Sequence, residues 1–173
     1  MNKIISVVTC SVFLLLFFGC SKSDDSESDK ITENKALLIG GWYVVNEYAY
    51  DSDNHVVSER SMKASEDCPY DELTFVPNGT ANYLAYLVLE KPEVEKVECE
   101  ENLVPNAYTW GLPDGRRLKV SNGESTDDYV FMVLNQQNMR LSRGLTPSEV
   151  IQGGYDKSVV RIEIEYNRIL SNN

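Results

Sequence analysis

Between Val160 and Tyr166 the side chains alternate without interruption. Val160, Ile162, Ile164 and Tyr166 are apolar, and Arg161, Glu163 and Glu165 between them are charged. A period of two sends successive side chains to opposite faces, so this segment reads as a strand with one buried face. The same period, less cleanly, joins Trp42, Val44, Tyr48 and Tyr50 around Glu47 and assigns those four to one inward face. Leu73 and Phe75 run into Pro77-Asn78-Gly79, and Ala81, Tyr83, Ala85 and Leu87 follow. Asn-Gly between two such runs predicts a tight hairpin. It accounts for Asn78-Gly79-Thr80 without a glycosylation role. A second hairpin brackets Pro113-Asp114-Gly115, between Tyr108-Thr109-Trp110 and Leu118-Lys119-Val120. Asp127 to Leu134 is apolar on both faces, and Met139 and Leu141 open a further strand. Eight strands result, with long links only at 51–69, 91–105 and 144–157. That is an antiparallel up-and-down meander. Leaving it open exposes two strand edges, and closing it into a barrel removes them. A β-sandwich would need long crossing connections. Thr146-Pro147-Ser148-Glu149 is a capping box with proline at the first helical position, and Gly153-Gly154 stops that short helix. Ile31 to Ile39 is a second short helical candidate.

The N-terminus has a different character. Lys3, an apolar run from Ile4 to Phe18, and Gly19 are the parts of a secretory signal. The run is shorter than the roughly 18–20 residues a spanning helix needs. Its downstream flank is acidic rather than basic, unlike a stop-transfer segment. With Cys20 as first mature residue, the pattern resembles that of bacterial lipoproteins. The resemblance implies removal of residues 1–19, lipidation of Cys20, and a lipid-anchored place on the periplasmic or cell-surface face of the bacterial outer membrane. Residues 20–36, acidic and nearly without apolar side chains, are expected to form a lipidated flexible tether. Residues 37–173 then make one domain. The whole chain carries a formal charge of −11, and losing Lys3 makes it more negative. That balance argues against nucleic-acid binding and against electrostatic docking on anionic headgroups. The membrane contact would be the lipid on Cys20.

An eight-stranded meander whose first strand carries Gly40-Gly41-Trp42 resembles the lipocalin-like domains of bacterial lipoproteins. Cys68, Asn78-Gly79-Thr80, Cys99 and Tyr108-Thr109-Trp110-Gly111 follow the order of that family's short motifs. The resemblance implies an all-β, up-and-down, eight-stranded lipocalin-like barrel with one or two short helices. It further implies that Trp42 closes one end and that a late arginine, Arg161 or Arg168, packs over it. Arg168 is preferred, because alternation turns Arg161 away from Ile162 and Ile164.

Cys68 and Cys99 are the cysteines left beyond the anchor, and in an oxidising compartment they are expected to pair. A zinc site with His55 would lack Cys-x-x-Cys spacing. His55, the sole histidine, follows the turn-forming Asp51-Ser52-Asp53-Asn54. The EF-hand likeness of that stretch fails, because Val56 stands where glycine is required. Glu90, Glu93, Glu95, Glu98, Glu100 and Glu101 surround Cys99 as a solvated acidic loop. Tyr48, Tyr83 and Phe131 are candidate ligand-lining residues, with filled core as the alternative. Nothing forms a catalytic motif, and no cofactor is implied. The expected function is non-catalytic binding of a small apolar or amphipathic ligand in the barrel. The alternative is a filled barrel whose outer face or loops bind a protein or envelope component.

Overall fold

The computed structural model describes residues 25–89 and 97–170. Cys20 and the stretch 1–19 expected to be a signal lie outside the described residues, as do Glu90, Glu93 and Glu95. Among the described residues no helix is long and apolar enough to cross a membrane.

The elements run α1 (Asp25–Leu38), β1 (Gly40–Tyr50), β2 (Val56–Ser61), β3 (Glu72–Phe75), β4 (Thr80–Leu89) and β5 (Glu98–Gly111). Then follow β6 (Arg117–Ser121), β7 (Thr126–Leu134), β8 (Asn138–Gly144), α2 (Pro147–Gln152) and β9 (Arg161–Arg168). Every pairing is antiparallel. Sequential neighbours pair from β3 to β9, and β9 returns to β1, with Trp42 opposite Arg168 and Tyr50 opposite Arg161. β2 and β3 share one position. Gly40–Tyr43 of β1 pair with β3, whereas Asn46–Tyr50 pair with β2. The architecture is therefore a closed barrel of eight strand positions, the second of them split.

Three expectations need correction. The stretch 51–69 contains β2, and 91–105 contains the first half of β5. Both were expected as links, because Val56–Ser61 has no buried face and Glu98–Asn102 is acidic. α1 (Asp25–Leu38) takes in most of the Ile31–Ile39 helical candidate but begins earlier, at Asp25, where composition suggested a flexible tether. The helix is held from outside itself. Leu38 is fully buried, and Asn34 donates from Nδ2 to Gly115 O at 2.5 Å. The Lys35 ammonium sits 5.9 Å from the Trp110 ring centroid. Gly115, at φ 67°, leaves room for this contact, since a Cβ there would come within 3.0 Å of Ile31 N.

α1 crosses the end of the barrel where β1 begins, and that end is packed solid. Trp42, Phe75, Ala81, Leu118, Met139 and Leu141 form its core. Trp42 Nε1 donates to Leu38 O at 2.8 Å, which satisfies the indole where water cannot reach. The Arg168 guanidinium stands 4.6 Å from the Trp42 ring centroid and donates to Leu37 O at 2.9 Å and Ile39 O at 2.5 Å. It thus ties the last strand to the end of α1. Gly40 must be glycine here, because at φ 120° a Cβ would sit 2.7 Å from Arg168 Nη2. A disulfide joins Cys68, in the loop between β2 and β3, to Cys99 of β5, with Cα atoms 5.7 Å apart.

Candidate functional site

The lumen above the Trp42 floor is lined by rings. Tyr83 lies opposite Leu73 and Phe131 opposite Leu141, so both face inward. Tyr108, Tyr129 and Phe131 pack on the same core, yet, like Tyr83, they are only half-buried. Tyr83 and Tyr108 meet edge to face with centroids 6.3 Å apart.

Tyr48 faces the other way. The pairing of β1 with β9 shifts register between Val44 and Asn46, and a bulge adds a residue that reverses alternation. Trp42 and Val44 point inward before it, Glu47 and Ala49 after it, so Tyr48 and Tyr50 lie on the outside. There the Tyr48 hydroxyl donates to Glu165 Oε2 at 3.0 Å and the Arg140 guanidinium covers its ring at 5.2 Å. The Tyr50 hydroxyl donates to Glu163 at 3.3 Å beneath Arg161, 4.1 Å from the ring. This mesh of acids, arginines and rings buries Glu163 on the outer surface.

The bulge also brings a carboxylate inside. Glu47 is 4% exposed, accepts from Tyr155 OH at 2.6 Å and pairs with Arg60 Nε at 3.0 Å. Burial, then the hydrogen bond to Glu47, pushes the Tyr155 phenol up to about 12. Asp71 accepts from the Tyr83 hydroxyl and from Tyr86 N at 2.9 Å. Burial and that bond raise the Tyr83 phenol. Arg143, opposite the inward Ile162, lies 5.9 Å from the Tyr129 ring centroid. It donates to Glu149 Oε1 at 2.5 Å and approaches Asp127 at 3.7 Å. Burial dominates at Tyr129 and pushes its phenol up to about 12.

Deeper still is Tyr166, 6% exposed and opposite Val44 and Met139. Burial, reinforced by Tyr129, Tyr108, Tyr83 and Glu47, raises its phenol well above the ordinary value. The lumen thus gathers phenols and carboxylates that sequence reading did not assemble. Tyr166 was legible as part of the inward face of β9, whereas nothing in Val44-Val45-Asn46-Glu47 announced the bulge.

Past the barrel rim, the β4–β5 hairpin continues the lumen wall. Leu87 and Leu89 share the face of Tyr83 by alternation, and Val104 lies directly opposite Tyr83. They are 48%, 38% and 41% exposed, an apolar lip in contact with solvent. Beside the mouth an apolar cleft of about 350 Å³ runs along α2, lined by Leu145, Val150, Ile151, Val159 and Val160.

The turn around His55 is spent on itself. Asp51 Oδ1 accepts from the backbone N–H groups of Asp53 and His55, both at 2.9 Å. Those bonds, His55 first, hold its carboxyl below the usual range. Asp51, Asp53 and His55 do bring ligand atoms within 4.8 Å of one another, but on an exposed turn whose principal carboxylate already has its partners.

The fold and site define a closed antiparallel barrel with a plugged floor and a phenol-lined upper lumen. No protein-family model and no curated protein matches the sequence. Among solved structures, lobster apocrustacyanin A1 is similar over 83% of this chain and 67% of its own, at 11% identity and a TM-score of 0.43. The architecture stated here rests on the strand pairing itself.

Proposed function

We propose that this chain is a lipid-anchored, non-catalytic binding module whose barrel takes a small amphipathic molecule. The half-burial of Tyr83, Tyr108, Tyr129 and Phe131 carries the reading. These rings pack on the core yet keep part of their surface open, whereas Trp42, Leu118 and Met139 are fully buried. An apolar lip at the entrance and polar groups beyond it suit a ligand with an apolar body and one polar end. Binding is favoured over catalysis because the lumen carboxylates Glu47 and Asp71 already accept from tyrosines, and the sole histidine stands on an exposed turn. Attachment through Cys20 would act at the closed end, since α1 starts at Asp25 and crosses the barrel floor. The mouth would then open away from the anchoring membrane.

Mass spectrometry of membrane-extracted protein tests both parts. The expected result is a mature chain beginning at an acylated Cys20, with Cys20→Ser left unprocessed, and a small molecule retained under native conditions. A normally cleaved Cys20→Ser chain and no acyl mass on wild type would remove the anchor. Failure of every apolar probe to bind would remove the lumen site.

A further inference from the structure

The deepest lumen hydroxyl has no partner. Tyr166 OH makes no hydrogen bond to any described residue, although its side chain is more than nine-tenths buried. It is not sealed either. Among the described side chains, the only nitrogen or oxygen both closed to water and unpartnered is Arg143 Nε. The Tyr166 hydroxyl therefore opens onto space at least as large as a water molecule. Tyr108 OH, half-buried, likewise has no partner among the described residues. Tyr129 lies within reach of Arg143, whose N–H groups leave the phenolic proton free to donate.

The Tyr166 and Tyr129 phenols, raised chiefly by burial, stay protonated across the physiological range, and an unmet O–H donor in a low-dielectric site is costly. The neighbouring charges say what can meet it. Among the described residues no lumen cation is left over to hold an anion, since Arg60 is paired with Glu47 and Arg143 with Glu149 and Asp127, and Asp71 repels one. A cation would have to share the Tyr129 ring with the Arg143 guanidinium. What remains is an uncharged acceptor, with Phe131, Val120 and Leu134 to hold an apolar body.

Building on the lumen-binding reading, we propose that the ligand is an uncharged apolar molecule bearing a carbonyl-type oxygen, which accepts hydrogen bonds from Tyr166 at the floor and Tyr108 and Tyr129 around it. Three fluorescent probes test this by titration of the whole mature protein. They are 6-propionyl-2-dimethylaminonaphthalene (a neutral ketone), N-phenyl-1-naphthylamine (neutral, without an acceptor oxygen) and 1-anilinonaphthalene-8-sulfonate (an anion). The ketone should bind most tightly. Tyr166→Phe should weaken it about fivefold to tenfold, the worth of one hydrogen bond, and move its bound emission to shorter wavelength. The same substitution should leave naphthylamine affinity and the thermal midpoint unchanged. Tyr108→Phe serves as a second variant at a less buried position, and Tyr48→Phe on the outer face should change nothing. The proposal is overturned if naphthylamine binds but neither variant affects the ketone, or if the sulfonate binds as tightly. If no probe binds, the lumen-binding reading itself falls.

Discussion

Two halves of one barrel use the same strands in opposite ways. Toward the floor, Trp42, Phe75, Leu118 and Met139 interlock, the indole N–H is satisfied by Leu38, and Arg168 seals the rim of the plug. A few residues along, the same strands turn Tyr83, Tyr108, Tyr129 and Tyr166 inward, with the Tyr83 hydroxyl donating to Asp71 and Tyr129 lying beside Arg143. The floor is held by apolar packing and stays shut. The upper lumen carries hydrogen bonds from phenols to carboxylates at its edges, and most of its rings are only half-buried. Inward alternation places a side chain in the lumen, but its size and polarity decide whether the lumen fills.

The floor should therefore fail first and most severely. Trp42→Ala should cost about 3–5 kcal/mol as a truncation of the largest core side chain, read as a fall in urea midpoint. A loss below about 1 kcal/mol would mean that the floor is not the packed half. The disulfide comes next, because it ties the flank of the open half together. Replacing both Cys68 and Cys99 by Ser frees a loop whose ends are 31 residues apart in sequence, a cost of about 3–4 kcal/mol in the chain-entropy model. Hydrogen exchange should show the β4–β5 hairpin loosening before the Trp42 core. Equal loosening in both would make the barrel one cooperative unit without the contrast drawn here.

The asymmetry was only partly legible in sequence. Strand identity from β3 onward, the acidic first half of β5 excepted, the Asn78-Gly79 and Asp114-Gly115 turns, and the α2 capping box followed from local chemistry, which leaves marks in adjacent residues. Eight strand positions were legible too, because alternation and turn signals count strands directly. What escaped notice depends on distant partners. Val56–Ser61 pairs through backbone groups and buries no side-chain face, so its composition carries no strand signal. The first half of α1, ahead of the Ile31–Ile39 candidate, has little apolar content of its own, and the helix is fixed by Gly115, Trp110 and Arg168, all remote in sequence. The Val44–Asn46 bulge moved Tyr48 outside and Glu47 inside, reversing the assignment of β1 beyond Val44. Tyr83 and Phe131, on strands with intact alternation up to those residues, were placed on the correct face.

Within the open half, engaged and free hydroxyls should behave differently. Tyr83→Phe removes the O–H that Asp71 accepts and leaves that carboxylate, among the described residues, with the Tyr86 N–H. The cost should be about 1–2 kcal/mol in urea unfolding. Tyr166→Phe removes an oxygen without a partner among the described residues and should cost nothing measurable. If the two variants lose equal stability, Tyr166 has a protein partner and the floor of the lumen is closed.

The smallest effect expected is local and depends on pH. Glu149 closes the capping box of α2, accepting from Thr146 N and Oγ1, both at 2.7 Å, and from Arg143. Those bonds, the Thr146 backbone first, draw its carboxyl down to about 2 from an ordinary 4.5. A carboxyl depressed in the folded state contributes its full stabilisation above its unfolded value and loses it as pH falls through the folded one. α2 should therefore remain protected from hydrogen exchange at pH 3.5, where ordinary exposed glutamates are largely protonated, and lose protection only near pH 2. Glu149→Gln should lack that protection at every pH while leaving the Trp42 core intact, because the cap sits at the mouth and shares no residue with the floor. Loss of α2 protection already at pH 4 in wild type would show that Glu149 is not drawn down by its cap, and that the mouth is held by packing as the floor is.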